Sequence, residues 1–181
     1  NSLSPVTKIG KQLEDVYTTH CPKMSKSERM DRCAELLKIV HVDSNRLAAY
    51  PFELSGGMRQ RVMIAMALAL DPQLIIMDEP TTALDVVVQR EIIEQITELR
   101  KERGFSVIFI THDLPMLLEI TDRIAVMKNG VIVEQNTSEN IYWNAQHPYT
   151  KRLLSSFPSL TGERGDFVRT GAIDSEVEGH V

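Results

Sequence analysis

Three stretches of this chain put polar residue types where phosphate chemistry needs them. The first is Leu54-Ser55-Gly56-Gly57-Met58-Arg59-Gln60. A Ser, two glycines and then a helix-forming run predict a helix that opens on bare amides. Such an end, with the positive pole of its dipole outward, receives anions. The second is Asp78-Glu79, which follows the apolar run Leu74-Ile75-Ile76-Met77. A carboxylate closing a buried run is costly without a partner. Hydrated Mg²⁺ is a suitable one, because it keeps its waters and takes few carboxylates. Glu79 need not share that role: one carboxylate can hold the metal shell while the other orients or deprotonates a water. The third is His112, just beyond the apolar run 105–110. An imidazole there can hydrogen-bond a phosphate oxygen while fixing a water or a carboxylate.

Each of these has a plainer reading when taken singly. Ser55 and its glycines also fit an ordinary N-cap where two helices pack closely. Asp78 can cap a turn, Glu79 can be a solvated turn residue, and a lone His after a strand is more often structural than catalytic. Asp85 reads as the N-cap of the helix that begins at Val86. The sequence contains no G-x-x-x-x-G-K-[ST] phosphate loop, so the anion facing Ser55 is not explained by a loop of the chain's own.

The elements that must position these groups follow from periodicity. A short helix is predicted over about 7–18. Ser25-Lys26-Ser27-Glu28 is a capping-box pattern, and Met30, Cys33, Leu36, Leu37 and Val40 behind it recur at helical spacing. Residues 43–52 read as loop, with Pro51 keeping Tyr50 out of the α conformation. The helix capped by Ser55 is apolar on every side over 62–70, which predicts full burial; Asp71-Pro72 stops it. The run 74–77 reads as a fully buried strand of a parallel sheet. A helix with Ile92, Ile93, Ile96 and Leu99 inward ends at Gly104. A second buried strand over 105–110 and a short helix to Ile120 follow. Lys128-Asn129-Gly130 between apolar runs is a hairpin signal. Helices at 138–143 and 148–156 and a frayed tail after Pro158 complete the reading.

Two buried strands joined by a helix form a right-handed parallel crossover. In such sheets ligands bind at the carboxyl ends of the strands. Asp78, Glu79 and His112 are therefore expected to converge on one edge. The fold class is α/β, and the expected divisions are 1–70, a helical subdomain; 71–136, half of a sheet-bearing core; 137–158, a helical extension; and 159–181, the tail.

Composition supports a globular domain: 43% apolar and 25% charged residues, with net charge −5. That balance gives no electrostatic case for nucleic acid. Cys21 and Cys33 stand in no metal-binding pattern. The apolar run 62–70 is too short to span a bilayer, so any work at a membrane goes through partners. The first residue is Asn1, not Met, which fits a chain that starts inside a longer protein.

In order and spacing these stretches resemble the ABC ATPases. Leu54 to Gln60 looks like their signature motif, and Leu74 to Pro80 like the Walker B strand with the catalytic glutamate after it. Ala83-Leu84-Asp85 looks like the D-loop and His112 like the switch histidine. Tyr50-Pro51-Phe52-Glu53, the run Met58 to Ala67 and His147-Pro148-Tyr149-Thr150 resemble the ATP-binding subunits of dipeptide/oligopeptide (and nickel) importers. Phe52 stands where that group often has His. The likeness runs from about Asn1 to about Pro158. The family's Walker A loop, adenine-stacking aromatic and Q-loop glutamine would all lie before Asn1, so the chain looks like the C-terminal part of an incomplete P-loop NTPase-type domain. Its C-terminus carries no cysteine segment, and no iron–sulfur cluster is carried over.

What the resemblance implies is an ATPase subunit coupled to uptake of peptides or related small solutes, with ATP and Mg²⁺ as its ligands. It would work head to tail with a second, identical or paralogous ATPase subunit, and bind transmembrane permease subunits from the cytoplasmic face. Carried over, Ser55, Gly56 and Gly57 would meet the γ-phosphate of the partner's ATP, and Gln60 would be a further nucleotide-binding residue. Asp78 would hold Mg²⁺ through water, Glu79 would be the general base, His112 would position the water, and Asp85 would touch the partner. The chain alone would then bind ATP poorly and turn it over negligibly. Two other readings compete. A non-catalytic module could use the signature surface to bind a complete ATPase. A DNA-repair-type ABC ATPase shares some motifs, but residues 91–103 run directly into a strand without coiled-coil heptads.

Overall fold

The computed structural model describes residues 3–81 and 84–156. They fall into two compact units that divide between Ile108 and Phe109. The expected tail, 159–181, lies outside the described residues.

The first unit is built on helices α1 (Ile9–His20), α2 (Lys26–Ile39), α3 (Gly56–Leu68) and α4 (Val86–Arg103), with strand β1 (Leu74–Asp78) between the last two. The capping box at the head of α2 is complete: Ser25 Oγ accepts from the Glu28 amide at 3.3 Å, and the Glu28 carboxylate accepts from the Ser25 amide at 2.7 Å. Helix α1 packs on α2, α2 on α3, and α3 on α4. Ile9, Leu13, Cys33, Leu37, Val62, Leu68, Ile92 and Ile96 are buried among them. The segment 43–52, expected as loop, instead forms two short 3-10 turns, Ser44–Ala48 and Pro51–Glu53. Asp43 caps the first through the Asn45 amide, and Glu53 closes the second on the Tyr50 amide. Pro51 opens a 3-10 turn because its fixed φ suits a first helical position while its missing N–H is not needed there.

Three expectations of full burial are corrected. In the stretch 62–70, Val62, Ile64, Ala65, Leu68 and Ala69 are buried, but Ala67 and Leu70 are exposed. In β1, Ile75 and Met77 are buried while Leu74 is 49% and Ile76 63% exposed. In β2 (Ser106–Ile110), Val107 and Phe109 are half-buried and Ile108 and Ile110 exposed. The reason is geometric. Successive side chains of a strand point to opposite faces, so an apolar run is buried throughout only where both faces are covered. β1 and β2 form a two-stranded parallel sheet, joined in sequence by α4. Its other predicted features hold: Ile92, Ile93, Ile96 and Leu99 face inward, and Gly104 closes α4 at φ 72°.

The second unit holds α5 (Leu114–Ile120), the hairpin β3 (Arg123–Lys128) and β4 (Val131–Thr137), α6 (Ser138–Asn144) and α7 (Pro148–Ser155). Asn129 and Gly130 turn the hairpin with φ of 50° and 78°, the two positive values that a type I′ turn demands. Lys128 then pairs with Val131, and the register slips by one residue between Val126 and Met127. Leu114, Leu118, Ile124, Val126 and Ile141 form the core of this unit, with Tyr149 and Leu153 against it. Glu134 of β4 accepts from the amides of Gln146 and His147 at 2.7 and 3.1 Å. Burial pushes that carboxyl up, but the two amide bonds and the neighbouring His147 outweigh it and hold it below its usual range. The carboxylate thus pins the turn before α7 to the hairpin.

Candidate functional site

Helix α3 begins as its sequence requires. Ser55 lies in the extended region, and its Oγ accepts from the Met58 amide at 3.2 Å. That bond satisfies the third amide of the helix. The amides of Gly56 and Gly57, the first and second, find no acceptor among the described residues. Ser55 is exposed and both glycines are half-buried, so this helix end is open to an anion. Behind it, the Arg59 guanidinium donates to the carbonyl of Leu54 at 2.7 Å. It therefore braces the residue just before the cap. Gln60 is half-buried on the same turn as Gly57.

The glycines also answer to packing. A Cβ on Gly57 would lie 2.7 Å from Val88 Cγ1, and one on Gly56 would lie 3.1 Å from Leu84 Cδ2. Leu84 and Val88 flank Asp85, whose Oδ1 accepts from the Val88 amide at 3.0 Å. Asp85 is exposed and N-caps α4 as expected. The starts of α3 and α4 therefore stand side by side. The glycines thus serve close packing, at the same helix start whose first two amides find no acceptor among the described residues.

Asp78 ends β1 and is exposed; Glu79 follows it half-buried. Glu79 has φ 47°. A non-glycine residue in the left-handed region stores about 1–3 kcal/mol of strain, a cost that clusters at functional sites. The sequence held a partial sign of it in the Glu79-Pro80 step, because a residue before proline is driven out of the right-handed α region. Pro80 and Thr81 are buried after it, and Leu84 N–H closes a turn on the Thr81 carbonyl at 3.2 Å. Thr82 and Ala83 of the predicted D-loop lie outside the described residues. No cluster of three or more His, Cys, Asp or Glu side chains stands within reach of one metal ion among the described residues. One exposed strand-end carboxylate is a donor set that suits a hydrated Mg²⁺ shared with phosphate oxygens.

His112 belongs to the second unit, and Asp78, Glu79, Ser55, Gly56, Gly57, Gln60 and Asp85 to the first. His112 is exposed directly ahead of α5, and its carbonyl accepts from the Leu114 amide at 3.1 Å. Asp113 next to it caps that helix through the Met116 amide at 3.1 Å.

Sequence reasoning missed one residue of this region, Arg61. It lies one turn beyond Gly57 and donates to Gln95 Oε1 at 2.9 Å and to Glu91 Oε2 at 3.2 Å, both on α4. Its place in α3 gave no sign of this, since the partners lie 30 and 34 residues away.

Comparison with known proteins agrees with this picture. Residues 2–82 match the family described as ABC transporter, and residues 133–178 the family described as oligopeptide/dipeptide transporter, C-terminal region. The oligopeptide transport ATP-binding protein OppD of Bacillus subtilis is 49% identical over 161 residues, which are 88% of this chain and 45% of that protein. The dipeptide transport ATP-binding protein DppD of Haemophilus influenzae is 48% identical over 161 residues, again 88% of this chain and 48% of that protein. The chain thus spans about half the length of the curated relatives it matches. Among solved structures, the dimeric ATP-binding cassette MJ0796, in a post-hydrolysis state bound to ADP and Pi, superposes with a TM-score of 0.65 at 32% identity, covering 76% of this chain and 59% of that one. The stretches that resemble the signature and Walker B motifs lie inside the first match and His147 to Thr150 inside the second, so over most of its length the chain is similar to the ATP-binding proteins of oligopeptide and dipeptide transporters.

Proposed function

We propose that this chain is part of an ATP-hydrolysing subunit that drives uptake of peptides or related small solutes. The observation that carries the reading is the open start of α3. There Ser55 caps Met58 and leaves the amides of Gly56 and Gly57 to an outside ligand, in a sequence with no phosphate loop of its own. The anion they suit is the γ-phosphate of ATP held by a second ATPase subunit, identical or paralogous. Gln60, on the same turn, joins that contact, and Asp85, exposed beside it, meets the partner subunit.

In the hydrolytic step Glu79 takes a proton from the attacking water. The water oxygen bonds to the γ-phosphorus, and the bond to the β-phosphate oxygen breaks, releasing ADP and phosphate. His112 binds a γ-phosphate oxygen and orients the water. Ser55 and the two glycine amides offer neutral donors and a positive helix pole to the charge spread over the equatorial oxygens. Asp78 is the residue to hold a hydrated Mg²⁺, which offsets phosphate charge when bound. No described helix is long and apolar enough to cross a membrane, so coupling to transport runs through permease subunits at the cytoplasmic face.

The test is Glu79→Gln in the full-length protein. Hydrolysis falls by at least about a hundredfold, within the range for loss of a general base, while ATP binding persists. Undiminished turnover in that variant refutes the assignment.

A further inference from the structure

The starts of α3 and α4 are joined at two levels. At the tips, Gly57 lies so close to Val88 that a Cβ there would come within 2.7 Å of Val88 Cγ1. Val88 cannot swing aside, because a β-branched side chain in a helix has one strongly preferred χ1 rotamer. One turn further on, Arg61 spans to α4 through Gln95 and Glu91, and a third contact reaches the Val40 carbonyl at 3.5 Å. Arg61 is mostly buried. Gln95 is 4% exposed, and its Nε2 has no partner among the described residues, so its hydrogen bond to Arg61 is what anchors it. Two capped helix ends, one at Ser55 and one at Asp85, are thereby fixed to each other by a steric stop and a polar clamp.

We propose that Arg61 is a positioning residue that locks α3 to α4, with Gly57 bare of a side chain to make room for Val88, so that the Ser55–Gly57 turn and Asp85 are presented to a partner as one rigid edge. The inference rests on the proposed ATPase reading for its consequence, but its structural content stands without it. Gly57 is glycine because of Val88, and not only because a ligand approaches it. Movement at one helix start must then appear at the other.

The steric part is tested by second-site suppression in the full-length protein. Gly57→Ala lowers kcat by about tenfold or more, the scale of an overpacked contact, with little change in KM for ATP. Val88→Ala alone stays within about twofold of wild type, since it removes methyls from a half-buried site. The double variant Gly57→Ala/Val88→Ala returns to within about threefold of Val88→Ala, because the clash is gone. A double variant as impaired as Gly57→Ala overturns the proposal, since the glycine would then serve the ligand alone. The clamp is tested by amide hydrogen exchange, which needs no turnover. Arg61→Ala raises exchange at both capped amides, Met58 and Val88, by similar factors and leaves Leu13 of α1 unchanged. A rise at neither amide, or at Met58 alone, refutes the coupling. If the wild-type protein shows no hydrolysis, the ATPase reading fails while the exchange result still decides this inference.

Discussion

Asp85 accepts a hydrogen bond from the Val88 amide at 3.0 Å, and so the residue expected to face a partner is also the cap that starts α4. The two roles separate by substitution. Asn is as good an N-cap as Asp, whereas Ala loses about 1 kcal/mol of stability at such a position. Asp85→Ala is expected to lower unfolding stability by about that amount, and Asp85→Asn by less than about 0.5 kcal/mol. Urea titration of the full-length protein measures both. A loss of ATP hydrolysis in the stable Asn variant then belongs to the partner contact and not to the helix.

Glu14 and Arg29 pair at 3.5 Å with side chains only 10% and 16% exposed. Removing one member strands the other charge away from water. Glu14→Ala is expected to cost about 3 kcal/mol, while replacing both with apolar residues of similar size brings stability back toward that of the wild type. The cycle is read by denaturant unfolding. A double variant as unstable as the single one contradicts the buried-pair reading.

Two buried groups set an alkaline limit. Burial pushes the Cys33 thiol from its ordinary 9.0 to about 11. Burial also pushes the Tyr17 phenol from 10.0 to about 12. Both folded values lie above the unfolded ones, so the stability they confer is full below pH 9.0 and is lost as pH rises through about 11 and about 12. Melting temperature should therefore hold up to pH 9.0 and fall beyond it, and Cys33→Ala or Cys33→Ser should soften the first part of the fall. At pH 8 a thiol reagent should label Cys21, which is partly exposed, and leave Cys33 unmodified, because the thiolate is the reactive form.

Local signals in the sequence were the most legible. The capping box at Ser25, the caps at Ser55 and Asp85, the Gly104 stop and the Asn129-Gly130 turn are all short-range chemistry, and each stands where its residues imply. What failed was the inference from apolar runs to full burial at Ile76, Ile108 and Leu70. An apolar run reports the preference of a segment, while burial depends on what covers each face. The Arg61 clamp and the Gly57–Val88 approach were invisible for a related reason: both join residues about 30 positions apart. The left-handed backbone of Glu79 was half visible, since Pro80 narrows the choice without selecting that region.

By themselves, the 181 residues are expected to do little with ATP. The helix end proposed to face phosphate, the start of α3, offers two backbone amides and one hydroxyl, while the nearby Arg59 guanidinium is engaged by the Leu54 carbonyl. A nucleotide triphosphate needs more: in P-loop NTPases a glycine-rich loop and its lysine cradle the β- and γ-phosphates. No G-x-x-x-x-G-K-[ST] stretch exists in this sequence to supply them. Purified as this chain, the protein should bind ATP weakly, with no saturation at 1 mM nucleotide by equilibrium titration, about the upper end of ordinary KM values. Phosphate release should match that of its Glu79→Gln variant. Mg²⁺-dependent release that exceeds the variant's would mean that the chain completes an ATPase site without a second phosphate-binding segment, and would overturn the head-to-tail reading of the Ser55 turn.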